Sequence, residues 1–380
     1  MPTVEPAGPE LSSTGLGTAE ATEPAEPGPR AASTIGLCLS GGGYRAMLYH
    51  VGVLRRLNEA GWLPTLSRIS SVSGGSIVAG LLGCTWGDLE FDENGVAARF
   101  HDCVEQPILG LAERTVDVRA ALLGLWPGRI SKQVQRAYDA HLFHGATLQS
   151  LPDPDRHPEF ILLATDLRTG TLVQMSRRTA GGYRTHQVRN PTLPLAQAVA
   201  ASSAFPPVLS PCVVDLPAGG RLYLTDGGVY DNLGVEAITK QCRTVLVSDG
   251  GGTFSEPDTP RTGFVFGTIR VLSVLDVQVR RLRRRDIIAD YRAGRREGAF
   301  WAINTDPEHY TERNPDLPCP PERARALAAV GTRLARLSPH TCHQLVNWGY
   351  ASAEHSLRSN GMPHIGTAAG FPYPGGLGSS

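Results

Sequence analysis

The chain has 380 residues, 41% of them hydrophobic, and its 36 basic residues are balanced by 36 acidic ones. Zero formal charge argues against broad binding of nucleic acid or other polyanions, and the apolar content is that of a globular fold. The seven cysteines are odd in number and scattered, with no metal-binding spacing, so they read as free thiols in a reducing compartment.

Residues 1–33 are rich in Pro, Ala, Gly, Ser, Thr and Glu, a composition that buries too little apolar surface to fold and predicts a disordered tail. The start of the chain lacks a basic stretch followed by an apolar core, so no signal peptide is expected. No window holds the ~18 apolar residues of a membrane span. A cytoplasmic protein is expected, with membrane contact at most peripheral. Ile35–Leu39 reads as a short buried strand. After Gly41–Gly43, a helical stripe of Met47, Leu48, Val51, Leu54 and Leu57 runs to Gly61. Arg68–Val72 is a second strand ended by Ser73, and Ser76–Cys84 is apolar all round, as in a buried helix. Residues 88–150 read as mostly helical. Their apolar stretch 104–126 reads as a core helix pair, with a flap over a site as the alternative.

Glu159–Leu167 is a clean strand with Thr171–Ser176 as its hairpin partner. Leu195–Ser203 is an Ala-rich helix stopped by Phe205-Pro206-Pro207. The strands 221–225 and 244–248 end in Asp226-Gly227-Gly228 and Asp249-Gly250-Gly251-Gly252. A long helical region, 264–296, carries Arg280, Arg281, Arg283, Arg284 and Arg285 with Asp276, Asp286 and Asp290 interspersed. Mixed charge of this kind marks a solvated, salt-bridged face; binding of anionic lipid headgroups is the competing use. The segment 322–358 is a last helix or pair, and the Gly/Pro-rich residues 361–380 read as a frayed tail. Alternating strands and helices predict a three-layer α/β/α sandwich with a central, mostly parallel sheet.

Two glycine-rich stretches carry the chemistry. Ser40-Gly41-Gly42-Gly43-Tyr44-Arg45-Ala46 follows the first strand and opens a helix, so its bare N–H groups face outward where negative charge is stabilised. Arg45 either braces this loop, adds positive charge, or forms a surface salt bridge. Ser71-Val72-Ser73-Gly74-Gly75 matches the G-x-S-x-G nucleophile elbow, with serine in place of the leading glycine. An oxyanion site beside a nucleophile makes an acyl hydrolase. The first loop also fits the dinucleotide fingerprint through Gly41-x-Gly43-x-x-Ala46, but the second strand closes on Ser73 where that fingerprint wants an acidic residue. A nucleotide-binding module is therefore the lesser reading. The late histidines, His309, His340, His343, His355 and His364, do not sit in a glycine-flanked loop after a strand. A buried carboxylate with a raised pKa is the other candidate base. Asp166, Asp226 and Asp249 all end apolar strands, and all reach one sheet edge if those strands run parallel. Asp226 is the strongest of the three, because Gly227 and Gly228 let the backbone approach Ser73.

Taken together, Ser40–Ala46, the Ser73 elbow and Asp226-Gly227-Gly228 resemble the patatin-like phospholipase family. Segments around Ala164–Gly170 and Ala201–Pro207 are also similar to it, and the likeness is looser beyond residue 250. The resemblance implies a patatin-like domain over residues 34–360 and a Ser73–Asp226 dyad without histidine. It also implies an oxyanion hole at Gly41, Gly42 and Gly43 with Arg45 beside it, supported by Gly74, Gly75, Gly227 and Gly228. It further implies hydrolysis of acyl esters in phospholipids, lysophospholipids or acylglycerols, without calcium, metal or cofactor. A catalytically silent, lipid-binding member is the alternative within the family.

Overall fold

The computed structural model describes residues 34–116, 129–185, 187–206, 209–216, 220–253, 263–362 and 366–378. The expected N-terminal tail and the second half of the apolar stretch 104–126 lie outside the described residues.

Among the described residues ten strands form one sheet: β1 (Ile35–Leu39), β2 (Leu66–Val72), β3 (Glu159–Asp166), β4 (Thr171–Met175), β5 (Thr179–Gly181), β6 (Val188–Arg189), β7 (Cys212–Asp215), β8 (Arg221–Asp226), β9 (Thr244–Asp249) and β10 (Glu297–Ala302). The order β10-β9-β1-β2-β3 is parallel throughout. Beyond β3 the sheet turns antiparallel, through β4, β5 and β6 on one path and β8 and β7 on another.

Successive strand residues point to opposite faces, and the core divides accordingly. Leu37, Leu39, Ile69, Leu162, Leu246 and Trp301 belong to the large core. Their neighbours Cys38, Val245 and Val247 belong to a second cluster with Leu233, Ile238 and Ile287. Helices α1 (Gly43–Glu59), α2 (Gly74–Cys84), α3 (Gln106–Ala112), α4 (Arg129–Tyr138) and α5 (Leu195–Ser202) add to the first face, together with a final helix, Pro339–Ser359. The long helix α6 (Phe264–Arg292) serves the second through Ile287. With layers on both faces, the fold is the expected α/β/α sandwich. Within the stretch 104–126, Ile108, Leu109 and Leu111 of α3 are core residues. The cysteines are free, four of them buried.

Helix α1 is held where its N-terminus must sit by the final helix, here α8 after α7 (Pro321–Ala328). The two cross in backbone contact: a Cβ on Gly52 would lie 1.9 Å from the Val346 carbonyl oxygen. Arg56 and Glu354 form a fully buried ion pair at 2.6 Å across the crossing, and Tyr49 donates to Ser352. The C-terminal segment packs where composition alone suggests fraying. Asn347 Nδ2 donates to the Tyr373 and Gly376 carbonyls, and Leu377 is buried. The helical reading of 264–296 also runs too far: α6 stops at Arg292, and Gly294 turns the chain with φ 67° into β10.

Candidate active site

The sheet register brings Ser73 and Asp226 together. Val72 of β2 pairs with Leu163 of β3, and Ala164 of β3 pairs with Asp226 of β8. Strand β4 pairs with Leu162–Asp166 of β3, which overlaps both the β2 and the β8 contacts, so β4 holds one edge of β3 alone. Strands β2 and β8 therefore share the other edge, running toward each other end to end. Ser73 follows the last residue of one, and Asp226 is the last residue of the other. The expectation of parallel strands is corrected here: Asp226 arrives on an antiparallel strand and reaches Ser73 through register. Asp166 lies two residues further along β3, where it takes hydrogen bonds from the Arg168 N–H and the Thr169 hydroxyl as a turn residue.

Ser73 joins β2 to α2 with φ 52° and ψ −118°. A positive φ in a residue with a Cβ stores roughly 1–3 kcal/mol of strain. Such a turn lifts the Oγ clear of both flanking elements. The turn fits because α2 starts on glycine: a Cβ on Gly74 would lie 2.2 Å from the Gly43 carbonyl oxygen, and one on Gly75 2.4 Å from that of Leu39. The elbow and the first glycine loop are thus in backbone contact. Serine at position 71 is accommodated by a buried hydroxyl chain. Ser76 Oγ donates to Ser71 Oγ at 3.0 Å and lies 2.8 Å from Ser202 Oγ. Ser202 Oγ in turn donates to the Leu163 carbonyl and accepts from the Ser73 N–H.

The same segment seats the aspartate. The Asp226 N–H donates to the Ala204 carbonyl, the Gly227 N–H donates to that of Ser202, and Thr165 Oγ1 donates to the Asp226 carbonyl. Asp226 Oδ1 accepts from the Gly228 N–H at 2.8 Å. Its Oδ2 is buried without a hydrogen-bond partner, the Ser73 hydroxyl lying close enough to favour the carboxylate but closing no bond. Burial pushes the carboxyl up to about 7, opposed by the Gly228 N–H and the Ser73 hydroxyl.

On the other side of Ser73 stands the glycine loop. The Gly41 N–H is engaged by both Asn232 oxygens at 3.1 Å, so it anchors the loop. The Gly42 and Gly43 N–H groups have no acceptor among the described residues, and both residues line the cavity with Ser73 and Asp226. Their φ values of 145° and 62° are accessible to glycine at low cost. Arg45 is buried rather than in a surface salt bridge. It donates to the Gly250 and Val330 carbonyls, bracing the loop against two distant segments. Burial, and then the neighbouring Arg280, lower its pKa to about 10.

The cavity has a volume of about 520 Å³. Phe205, Pro206 and Leu209 line one side, and Ser273, Asp276, Val277 and Arg280 of α6 another. Burial pushes the Asp276 carboxyl up to about 6. Among the described residues no histidine lines this space. His50 lies behind the loop, bonded to Ser40 and Ser248, and burial lowers it to about 4, keeping it neutral. Sequence reasoning missed Asn232, Ser76 and Ser202 as supports. For Ser76 and Ser202 the available signal was a hydroxyl inside an apolar helix.

A family model described as patatin-like phospholipase matches residues 37–238. No curated protein matches the sequence. Among solved structures the chain is similar to human GIVD cytosolic phospholipase A2, at 13% identity and a TM-score of 0.39, over 57% of this chain and 45% of that one. It is similar to the same enzyme in complex with methyl gamma-linolenyl fluorophosphonate, at 12% identity and a TM-score of 0.46, over 89% and 60%. A third likeness is to VipD from Legionella pneumophila, at 16% identity and a TM-score of 0.36, over 86% and 67%. The chain spans less than half the length of the first of these.

Proposed function

The chain belongs to the patatin-like phospholipase family, and we propose on that premise that it is a serine acyl hydrolase of lipid esters. The substrate class is phospholipids, lysophospholipids or acylglycerols. Asp226 Oδ2 takes the proton of Ser73 Oγ as that oxygen attacks the ester carbonyl carbon. The former carbonyl oxygen becomes an oxyanion and is held by the Gly42 and Gly43 N–H groups. Comparable donors contribute ~3–4 kcal/mol by mutagenesis. When the intermediate collapses, the ester C–O bond breaks and the leaving alkoxide takes the proton from Asp226, leaving an acyl-Ser73 ester. Asp226 then takes a proton from water, which attacks this ester and releases the fatty acid, and the proton returns to Ser73.

One observation carries the reading: the Asp226 carboxyl has a buried oxygen without a hydrogen-bond partner and lies close to the hydroxyl of the strained Ser73 turn, with its pKa raised to about 7. A base must be ionised yet basic at working pH, and desolvation achieves this without histidine. The nucleotide-binding reading lacks the acidic residue it needs, since β2 runs directly into Ser73. The test is a panel of lipid esters and p-nitrophenyl acyl esters assayed with wild type and Ser73→Ala. Turnover of at least one class, lost by about 10³-fold or more in the variant, is expected. Equal turnover by the variant, or no turnover of any ester, overturns the proposal.

A further inference from the structure

Helix α6 presents two contrasting faces. Ser273, Asp276, Val277 and Arg280 line the cavity. On the far side, Val271, Val274, Leu275 and Leu282 recur at i, i+3, i+4 and i+11, so they form one ridge. They are 58%, 38%, 55% and 48% exposed, and among the described residues they supply four of the nine exposed large hydrophobic side chains. A soluble surface rarely strings apolar side chains along one helix unless something covers them.

The arginine cluster on the same helix divides by use. Arg280 pairs with Asp249 and donates to the Gly252 carbonyl. Arg283 pairs with Glu236 at 2.8 Å, and Arg284 lies over the Phe300 ring. Arg281 and Arg285 are exposed and make no ion pair among the described residues. By helical spacing both lie on one side of the ridge at Leu282, and the exposed Asp286 lies on the other. Arg283 is salt-bridged as expected, whereas Arg281 and Arg285 are solvated but unpaired among the described residues.

We propose that this ridge, with Arg281 and Arg285 at its border, docks the protein on an anionic lipid surface, placing the cavity beneath α6 at the source of its substrate. Apolar side chains backed by cations are the pairing that an interface with acidic headgroups complements. The inference rests on the lipid hydrolase reading only for its purpose, since docking is measured without turnover.

The experiment is co-sedimentation of the full chain with phosphatidylcholine vesicles, with and without phosphatidylglycerol, at low and high salt. Wild type and Ser73→Ala are expected to bind alike, more tightly when phosphatidylglycerol is present, and more weakly in high salt. V271Q/L275Q is expected to lower the bound fraction about 10-fold on both vesicles. R281E/R285E is expected to abolish the phosphatidylglycerol preference alone. Melting temperature and turnover of a soluble p-nitrophenyl ester should stay at wild-type values in both variants. Absence of vesicle binding by wild type, or undiminished binding by V271Q/L275Q, overturns the proposal. So does a wild-type dimer by light scattering that V271Q/L275Q converts to monomer, which would assign the ridge to a second copy. Vesicle binding without ester turnover by wild type would leave docking standing and remove the hydrolase reading.

Discussion

Two strands of the sheet end in the same tripeptide, Asp226-Gly227-Gly228 on β8 and Asp249-Gly250-Gly251 on β9. Locally they are alike: each carboxylate accepts from the N–H two residues on, at 2.8 Å and 2.9 Å, and each is almost fully buried. Their surroundings separate them. Strand β9 runs parallel between β1 and β10, so its end meets the Ser40 hydroxyl at 3.4 Å and the Arg280 guanidinium at 3.7 Å. Strand β8 runs antiparallel on β3, so its end meets the Ser73 turn and, among the described residues, forms no ion pair. A buried carboxylate beside a cation braces structure; one buried without a cation is held basic. The comparison teaches that sheet topology, acting on identical sequence, decides which aspartate can serve as a base.

The largest expected effect comes from Asp226→Asn. Turnover should fall about 10³-fold, within the usual range for loss of a general base, while the melting temperature at pH 8 rises. The sign follows from linkage. The carboxyl's folded pKa of about 7 lies above its ordinary value of 3.8. Its contribution to stability is therefore full below about pH 4 and lost as pH climbs through about 7, by an upper bound of about 4 kcal/mol. The neutral amide escapes that loss. Asp249→Asn, the matched change at the other strand end, should reverse the pattern: a loss of roughly 1–3 kcal/mol in stability with turnover within about 10-fold of wild type. Equal catalytic losses at the two sites would erase the comparison.

The pH–rate profile sharpens it further. With Asp226 as the base, log(kcat/KM) should rise with unit slope to a plateau above about pH 7. A profile flat from pH 5 to 8 would contradict that assignment. The smallest effect is expected from Ser202→Ala, which removes the bond to the Ser73 N–H and leaves the Ser76 hydroxyl one partner fewer. A drop of about 10-fold in kcat, with KM unchanged and stability lower by about 1–2 kcal/mol, marks a positioning residue. A change confined to KM would place Ser202 in substrate binding instead.

The glycine loop, the elbow and the Asp226 turn were legible because each is a local need: φ above zero, or a backbone approach that a Cβ would block. The direction of β8 was not, since a half-buried hexamer, Arg221–Asp226, carries no mark of which strand edge it will join. Strand β10 was missed for a related reason. Its Glu297-Gly298-Ala299 start follows an arginine-rich helix without a proline, so only the Gly294 turn separates the two. Ser202 and Asn232 were unread as supports because their partners, Ser73 and Gly41, lie 129 and 191 residues away.

We propose Ser73 as a nucleophile activated by Asp226. The most direct measurement is the rate of fluorophosphonate labelling, followed by peptide mass spectrometry, on wild type, Ser73→Ala, Asp226→Asn and Asp249→Asn. A single adduct on Ser73 is expected, absent in Ser73→Ala, slowed at least about 10²-fold in Asp226→Asn and little changed in Asp249→Asn. An adduct on another residue, or Asp226→Asn labelling at the wild-type rate, would contradict it.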